Sequence, residues 1–383
     1  MQSDKSKKSI CMKIIIVGTA YPYRGGLAAY NERLAREFQA QGHEVEIYTF
    51  SLQYPSFLFP GKTQYSSEQA PADLKITRKI NSVNPLSWIS VGKKIKAKQP
   101  DKVIFCYWMA FMAPCFGTIA RNCKSKSTKC IALIHNMIPH EPSVLDKLFP
   151  AYCVNAMDGF VAMAGSVVED IKQFDKKNKP KLVSPHPIYD HYGAITSKTE
   201  AAEALDLDSN YKYILFFGFI RKYKGLDLLI EAFADVRLRQ YPVKLIIAGE
   251  FYDPQEPYKE IIHKYALEDE VILHTDFIPD SEVAYYFNAA DMVAQPYRSA
   301  TQSGVSQIAY HFEKPMLVTN VGGLAETVPH GKVGYVVEPD KNKIADALID
   351  FFENNRSEEF IKNMQEEKKK YAWSKMVETI NKI

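Results

Sequence analysis

Residues Tyr297–Glu326 read YRSATQSGVSQIAYHFEKPMLVTNVGGLAE. The stretch opens on small polar residues, Ser299, Thr301 and Ser303, and enters a run with Val305, Ile308, Ala309 and Phe312 at helical spacing. That period predicts a helix with one buried face. Pro315 cannot continue it. Met316–Thr319 then reads as a short parallel strand, and Gly322-Gly323 as the turn after it. The first turn of such a helix leaves backbone N–H groups unpaired, and its dipole favours an anion there. No acidic side chain lies between Ser299 and Gln307 to repel one. The helix start is therefore a ready phosphate site, although an ordinary capped helix of an α/β domain has the same composition.

The same alternation extends in both directions. Lys13–Val17 is a continuous apolar run, as in a parallel strand buried on both faces. A helix is predicted over about 26–41, with Leu27, Tyr30, Leu34 and Phe38 on one face, then a strand at Glu44–Phe50. A long aromatic and proline-rich loop, SLQYPSFLFPGKTQYS, follows. Further strands are expected at 102–106, 130–134 and 159–163. Near 184–193 the sequence SPHPIYDHYG reads as an interdomain hinge, placed at 187–193. The alternation then restarts, with strands at Tyr213–Phe217, Val243–Ala248, Val271–His274, Met292–Gln295, Met316–Thr319 and Tyr335–Val337. Strands alternating with helices imply parallel sheets. The fold class is α/β, with two doubly wound Rossmann-like domains facing an interdomain cleft. Their expected extents are 12–186 and 194–366, after a disordered tail at 1–11. Ligands in such sheets bind at the carboxyl ends of strands.

Composition narrows the function classes. The 383 residues carry 48 Lys and Arg against 45 Asp and Glu, a formal charge of +3, too small to argue for nucleic acid. No apolar run reaches membrane-spanning length. The polar start, MQSDKSKKSICMK, argues against a secretory signal. The six cysteines include no CxxC pair and suit buried thiols in a reducing cytoplasm.

Several segments could carry chemistry. Gly218 ends a strand, Arg221 and Lys224 follow in its loop, and Gly225 starts a helix with Leu228, Leu229, Ala232 and Phe233 on its apolar positions. Two cations at a strand's carboxyl end suit a diphosphate, though a basic loop is commonly just solvated. Gly25-Gly26, after the first strand, would let a ligand approach the backbone but also fits a tight turn. It is not GxGxxG, so a nicotinamide dinucleotide is poorly supported. His135-Asn136 follows the strand Cys130–Ile134, again at a carboxyl end. His140-Glu141 is not part of HExxH. No GxSxG elbow, Walker loop or Cys-His signature is present. Asp206-Leu207-Asp208 has metal-bridging spacing but precedes a strand and reads as a surface turn.

In combination these segments resemble glycosyltransferase family 4, the retaining, nucleotide-sugar-dependent enzymes of GT-B fold, from Met12 to nearly the end of the chain. The Gly25-Gly26 loop with LAREFQAQGHEVEIYTF looks like the family's opening unit. Gly218…Lys224-Gly225 has the G-x5-K-G spacing of the donor-phosphate loop. Val321–Glu326, after Lys314-Pro315, matches the closing segment, and Trp373–Ile380, within 367–383, looks like the helix that crosses back to the first domain. There are departures. The family's phosphate-loop arginine position is Phe219 here, with Arg221 two residues on. Aligning on Pro315 puts the family's two glutamates at Ala300 and Ile308. Gln302 or Gln307 is left for the ribose contact of the second glutamate. The chain resembles a bacterial subgroup with SATQSG at this place and HN…PHE in the first domain.

The resemblance implies a metal-independent, retaining hexosyltransferase-like enzyme. It would move a sugar from a nucleoside diphosphate sugar, a co-substrate rather than a cofactor, to a glycan, lipid-linked or other acceptor in bacterial surface polysaccharide synthesis. It implies His135, Arg221 and Lys224 as catalytic residues. Gly25, Gly26, Gly218, Phe277, Ile278, Thr301, Gln302, Ser303, Gly304 and Glu326 would bind the donor, with backbone near Phe277 and Ile278 meeting the base. A GT-B sugar-nucleotide epimerase or a non-catalytic sugar-nucleotide-binding subunit is the alternative, because both glutamates are missing. The cluster Lys93, Lys94, Lys96 and Lys98 near Trp88, with Phe57-Leu58-Phe59, suggests a cytoplasmic protein peripheral to an anionic membrane. A solvated helix face, with a loop that packs on the domain, is the simpler reading of the same residues.

Overall fold

The computed structural model describes residues 11–55, 63–138, 145–300 and 303–383. The tail expected at 1–11 falls outside them except for Cys11, as do Phe57–Phe59, His140-Glu141, Thr301 and Gln302. The chain divides into two compact units. The first holds Thr63–Pro185 and Trp373–Ile383 with the described residues before 56, and the second holds His186–Ala372.

In the first unit the strands are β1 (Lys13–Val17), β2 (Glu44–Leu52), β3 (Ile76–Asn81), β4 (Lys102–Tyr107), β5 (Lys129–Ile134), β6 (Gly159–Ala162) and β7 (Lys181–Val183). They form one parallel sheet in the order β3-β2-β1-β4-β5-β6-β7. The helices between them are α1 (Gly26–Ala40), α2 (Pro85–Ala97), α3 (Ala113–Cys123), α4 (Leu145–Val154) and α5 (Gly165–Phe174). Ile14–Val17 and Val103–Tyr107 are buried along their whole length, as strands covered on both faces must be. Tyr30, Leu34 and Phe38 of α1 are buried as their spacing predicts, while Leu27 is half-buried. Two strands escaped the sequence reading. β3, ITRKIN, is polar and at the sheet edge, and β7 has three residues. Five cysteines are buried free thiols, and Cys11 is exposed.

The second unit repeats the scheme. Its strands are β8 (Lys212–Phe217), β9 (Val243–Ala248), β10 (Val271–His274), β11 (Met292–Gln295), β12 (Met316–Thr319) and β13 (Gly334–Val337), in the parallel order β10-β9-β8-β11-β12-β13. Its helices are α6 (Lys198–Ala204), α7 (Leu226–Phe233), α8 (Glu256–Lys264), α9 (Val283–Ala289), α10 (Gly304–His311), α11 (Leu324–Thr327), α12 (Lys341–Glu353) and α13 (Ser357–Glu367). Val305, Ile308, Ala309 and Phe312 are all buried, so the helical period in the 297–326 stretch reports the real face of α10. The segment 187–193 packs within this unit. Tyr189 and Tyr192 are buried, and the Tyr189 ring is 3.0 Å from where a Cβ on Gly304 would lie.

The last helix, α14 (Trp373–Asn381), belongs to the first unit. Trp373 packs on Tyr30 of α1 with ring centroids 4.9 Å apart, and the Arg33 guanidinium covers the indole. Lys102 donates from its ammonium to the Ile380 carbonyl at 3.0 Å, tying the helix to the start of β4. Among the described residues no helix is long and apolar enough to cross a membrane.

Candidate functional site

The strand order of the second unit reverses between β8 and β11, the point where open parallel sheets form ligand crevices. The loops leaving those two strands are the ones the sequence singles out. After β8, Gly218 takes a left-handed φ of 96° and turns the chain sharply. Lys222–Lys224 then makes one 3-10 turn, and Gly225, at φ 64°, caps α7. After β11, residues from Pro296 lead to Ser303 at the N-cap of α10.

These two loops interlock. The Arg298 N–H donates to the Tyr223 carbonyl at 2.7 Å, and Tyr223 meets Tyr297 edge to face. The Thr319 hydroxyl donates to the Tyr297 carbonyl, so the end of β12 supports the second loop. The Lys224 ammonium converges on the Gly218 turn. A Cβ on Gly218 would lie 3.3 Å from Lys224 Nζ and 3.8 Å from Val305 Cγ2 of α10. The Lys224 ammonium, the Gly218 turn and the first turn of α10 thus meet around one point.

Lys224 is buried, and its ammonium lies 5.5 Å from the Tyr297 ring centroid. Among the described residues no carboxylate forms an ion pair with Lys224 or Arg221. Burial, reinforced by the neighbouring Arg221 guanidinium, lowers the Lys224 pKa to about 8. A desolvated cation beside a second cation is costly unless an anion joins them. The α10 start supplies the complementary backbone: its first turn has no acidic residue, and among the described residues no side chain caps it. The Ser303 hydroxyl is 3.4 Å from the Tyr297 hydroxyl and remains half-exposed, as does Gly304.

Arg298 behaves differently. Its guanidinium engages both oxygens of Asp227, in the first turn of α7, at 2.6 and 2.7 Å. That pairing raises its pKa and satisfies it locally. The sequence reading overlooked both residues. Their signal was an acid in the first turn of one helix and a base just before the other, which a single sequence does not connect.

Phe219 occupies the position of the expected phosphate-loop arginine. Its ring packs on Tyr252 with centroids 4.4 Å apart and stacks toward Phe277 at 6.3 Å. Arg221 lies over the other partner of this group, 5.1 Å from the Tyr252 centroid. Phe277 and Ile278 follow β10 and are half-exposed. Gly249, after β9, approaches Gly218 so closely that a Cβ would lie 2.3 Å from its carbonyl oxygen. The glutamate positions of the resemblance, Ala300 and Ile308, are both buried. Gln307 is buried too, and its amide oxygen has no hydrogen-bond partner among the described residues. Glu326 is exposed in the first turn of α11, after the Gly322-Gly323 turn.

In the first unit, Gly25 has φ 96° and nothing within 4 Å of an added Cβ, so its side is open. Gly26 begins α1. His135 follows β5, with its N–H bonded to the Tyr107 carbonyl at 2.9 Å and its ring edge-on to Tyr30 at 4.8 Å. The Asp206–Asp208 segment is a turn, with Asp208 accepting from the Asn210 N–H. Among the described residues there is no cluster of ligands suited to a metal.

Residues 24–188 match the family described as Glycosyltransferase Family 4, and residues 197–371 match glycosyl transferases group 1. The chain is 23% identical over 378 residues to an uncharacterised glycosyltransferase of Methanocaldococcus jannaschii, covering 98% of each. Sucrose-phosphate synthase from Thermosynechococcus elongatus has a similar structure, with TM-score 0.74 at 17% identity over 97% of this chain and 98% of that one. Anabaena HepE, solved in complex with UDP-glucose, gives TM-score 0.70 at 17% identity over 97% of this chain and 100% of that one. The two matched segments follow the two parallel-sheet units, and the chain is a glycosyltransferase of the family 4 type, with the GT-B fold.

Proposed function

We propose that this glycosyltransferase moves a sugar from a nucleoside diphosphate sugar to a glycan or lipid-linked acceptor, with retention at the anomeric carbon. The observation that carries the donor class is Lys224: a buried ammonium without a carboxylate partner among the described residues, beside Arg221 and the start of α10, whose N-cap Ser303 makes no capping hydrogen bond. Fixed cations and N–H dipoles of this kind stabilise the charge that grows on a leaving diphosphate. Arg221, Lys224, Ser303, Gly304 and the Gly218 turn hold the diphosphate on this reading, and Thr301 and Gln302 belong to the same segment. Gln307, with its unpartnered amide oxygen, takes the ribose contact. Phe277 and Ile278 meet the base, and Glu326 approaches the donor sugar. No metal is invoked. The leaving phosphate helps deprotonate the acceptor. Gly25, Gly26 and His135 are the first unit's candidates for the acceptor and the transferred sugar. HepE, of similar fold, was solved with UDP-glucose, which makes a uridine diphosphate sugar a sensible first donor to try.

A panel of nucleotide sugars screened by thermal shift, followed by assay of nucleoside diphosphate release, tests the proposal. A stabilising donor that is turned over, with turnover lost in Lys224→Ala, is the expected result. A donor that binds and is neither transferred nor hydrolysed supports the epimerase or non-catalytic reading, which the buried Ala300 and Ile308 favour.

We further propose that the enzyme works at the inner face of an anionic membrane in surface polysaccharide synthesis. Lys93, Lys94 and Lys96 are exposed on α2, and Leu86 of that helix is 76% exposed. Trp88 does not contribute, because its indole N–H is bonded to the Asn81 carbonyl and it packs on the core. Lys98 is paired with Glu46 at 2.6 Å. Failure to float with anionic vesicles removes this part of the reading.

A further inference from the structure

We infer that Arg298 and Asp227 form a positioning pair that aims the diphosphate-binding cations, and that Arg298 is not itself a phosphate ligand. The inference rests on the proposed donor site. One residue, Arg298, reaches both loops that build it. Its N–H holds the Tyr223 carbonyl at 2.7 Å, and its guanidinium touches the Lys222 carbonyl at 3.4 Å. Both oxygens of Asp227 close the other side. The 3-10 turn Lys222–Lys224 is therefore gripped at two of its three carbonyls, and the helix that follows it is gripped at its first turn. The direction of the Lys224 side chain is set by that turn. Arg298 itself lies on the loop after β11, so the pair ties that loop to the turn that carries Lys224.

Two further facts separate positioning from mere stability and from direct ligation. The side chains are 37% and 35% exposed, and an exposed ion pair contributes little to overall stability. What a bidentate arginine–carboxylate pair does supply at such a position is orientation. The guanidinium is also already neutralised by a carboxylate, unlike Lys224 and Arg221. A phosphate approaching it would have to displace Asp227 or accept a like charge beside it.

The sign of one substitution decides between the roles. Binding of inorganic pyrophosphate and of nucleoside diphosphates to the full chain is measured by calorimetry for the unaltered protein, Asp227→Asn, Arg298→Ala, Arg298→Lys and the double variant. If Arg298 were a phosphate ligand restrained by Asp227, Asp227→Asn would free it and tighten binding. As a positioning pair, Asp227→Asn weakens binding, and Arg298→Ala weakens it about tenfold or more, since small misplacements of binding groups are costly. The double variant is then no worse than Arg298→Ala, because the two residues act as one unit. Arg298→Lys, which keeps the charge but loses the fork, recovers little. Melting temperatures near that of the unaltered protein show that the fold persists. Tighter or unchanged binding in Asp227→Asn, or effects that simply add, overturns the inference. An unaltered protein that binds neither pyrophosphate nor any nucleoside diphosphate overturns the donor reading instead.

Discussion

A Cβ added to Gly225 would lie 2.0 Å from the carbonyl oxygen of Pro296. The loop from Gly218 to Gly225 and the loop before α10 touch here backbone to backbone, with no room for a side chain. Gly225 also sits at φ 64°, where an L side chain is strained. Gly225→Ala therefore forces the Pro296 segment away. The expected cost is about 1–3 kcal/mol, the range for overpacking a filled site, read as a lower midpoint in denaturant unfolding. Diphosphate binding falls by more than the stability loss explains, because Lys224 and Ser303 lie on opposite sides of the forced contact. A variant with normal binding would show that the contact does not set the site.

Lys224 predicts a pH dependence. Its pKa of about 8 lies below the usual 10.5 because burial and Arg221 disfavour the charged form. The folded protein thus holds this proton less tightly than the unfolded chain. Near neutral pH the buried charge costs stability, and the cost is lifted as pH rises from about 8 to 10.5. Diphosphate binding has the opposite sign. An anion restores the charged form, so binding takes up protons around pH 8–9 and weakens as pH rises further. Calorimetry in buffers of different ionisation enthalpy reads the uptake directly, and Lys224→Met should remove it.

The parts of this site that lie within one segment were legible in the sequence. The period of Val305, Ile308 and Phe312 gave the face of α10, and the spacing Gly218…Lys224-Gly225 gave the loop, because both depend on local geometry. Partners brought together by the sheet were not legible. Asp227 and Arg298 are 71 positions apart and meet because β8 and β11 are neighbours while the chain between them goes out and back. Tyr252 reaches Phe219 for the same reason, through β9. The edge strand β3 was missed because its residues are polar, and period-based reading needs a buried face to register a strand. The stretch SPHPIYDHYG at 184–193 reads as a hinge from its prolines and polar residues, but that composition does not tell how Tyr189 and Tyr192 pack; both are buried, since an aromatic ring buries a large area whatever its flanks.

Restoring the family's second glutamate should not improve the enzyme. Ile308 is 5% exposed on the core face of α10. A carboxylate there loses its hydration. Ile308→Glu is expected to destabilise the fold by about 3 kcal/mol or more unless the group stays protonated, as buried unpaired charges do. The melting temperature should fall, and fall less at pH 4–5 than at pH 8. Higher nucleotide affinity without loss of stability would instead show that the ribose pocket reaches this position.

Trp373 anchors the C-terminal helix on the first unit, and its influence should reach the candidate His135. Tyr30 is fully buried between them, 4.9 Å from the Trp373 ring and 4.8 Å from the His135 ring. Trp373→Ala removes a buried aromatic contact of α14 and uncovers one side of Tyr30. The expected loss is about 3–5 kcal/mol, as for other buried aromatic truncations, with earlier proteolytic release of residues after 372. Loosening Tyr30 also frees the ring that meets His135 edge-on. The His135 ring signals in a histidine-labelled sample should therefore shift in Trp373→Ala and largely return in Trp373→Phe, which keeps an aromatic face against Tyr30. Unchanged His135 signals in a folded Trp373→Ala variant would confine the tryptophan's role to docking the helix.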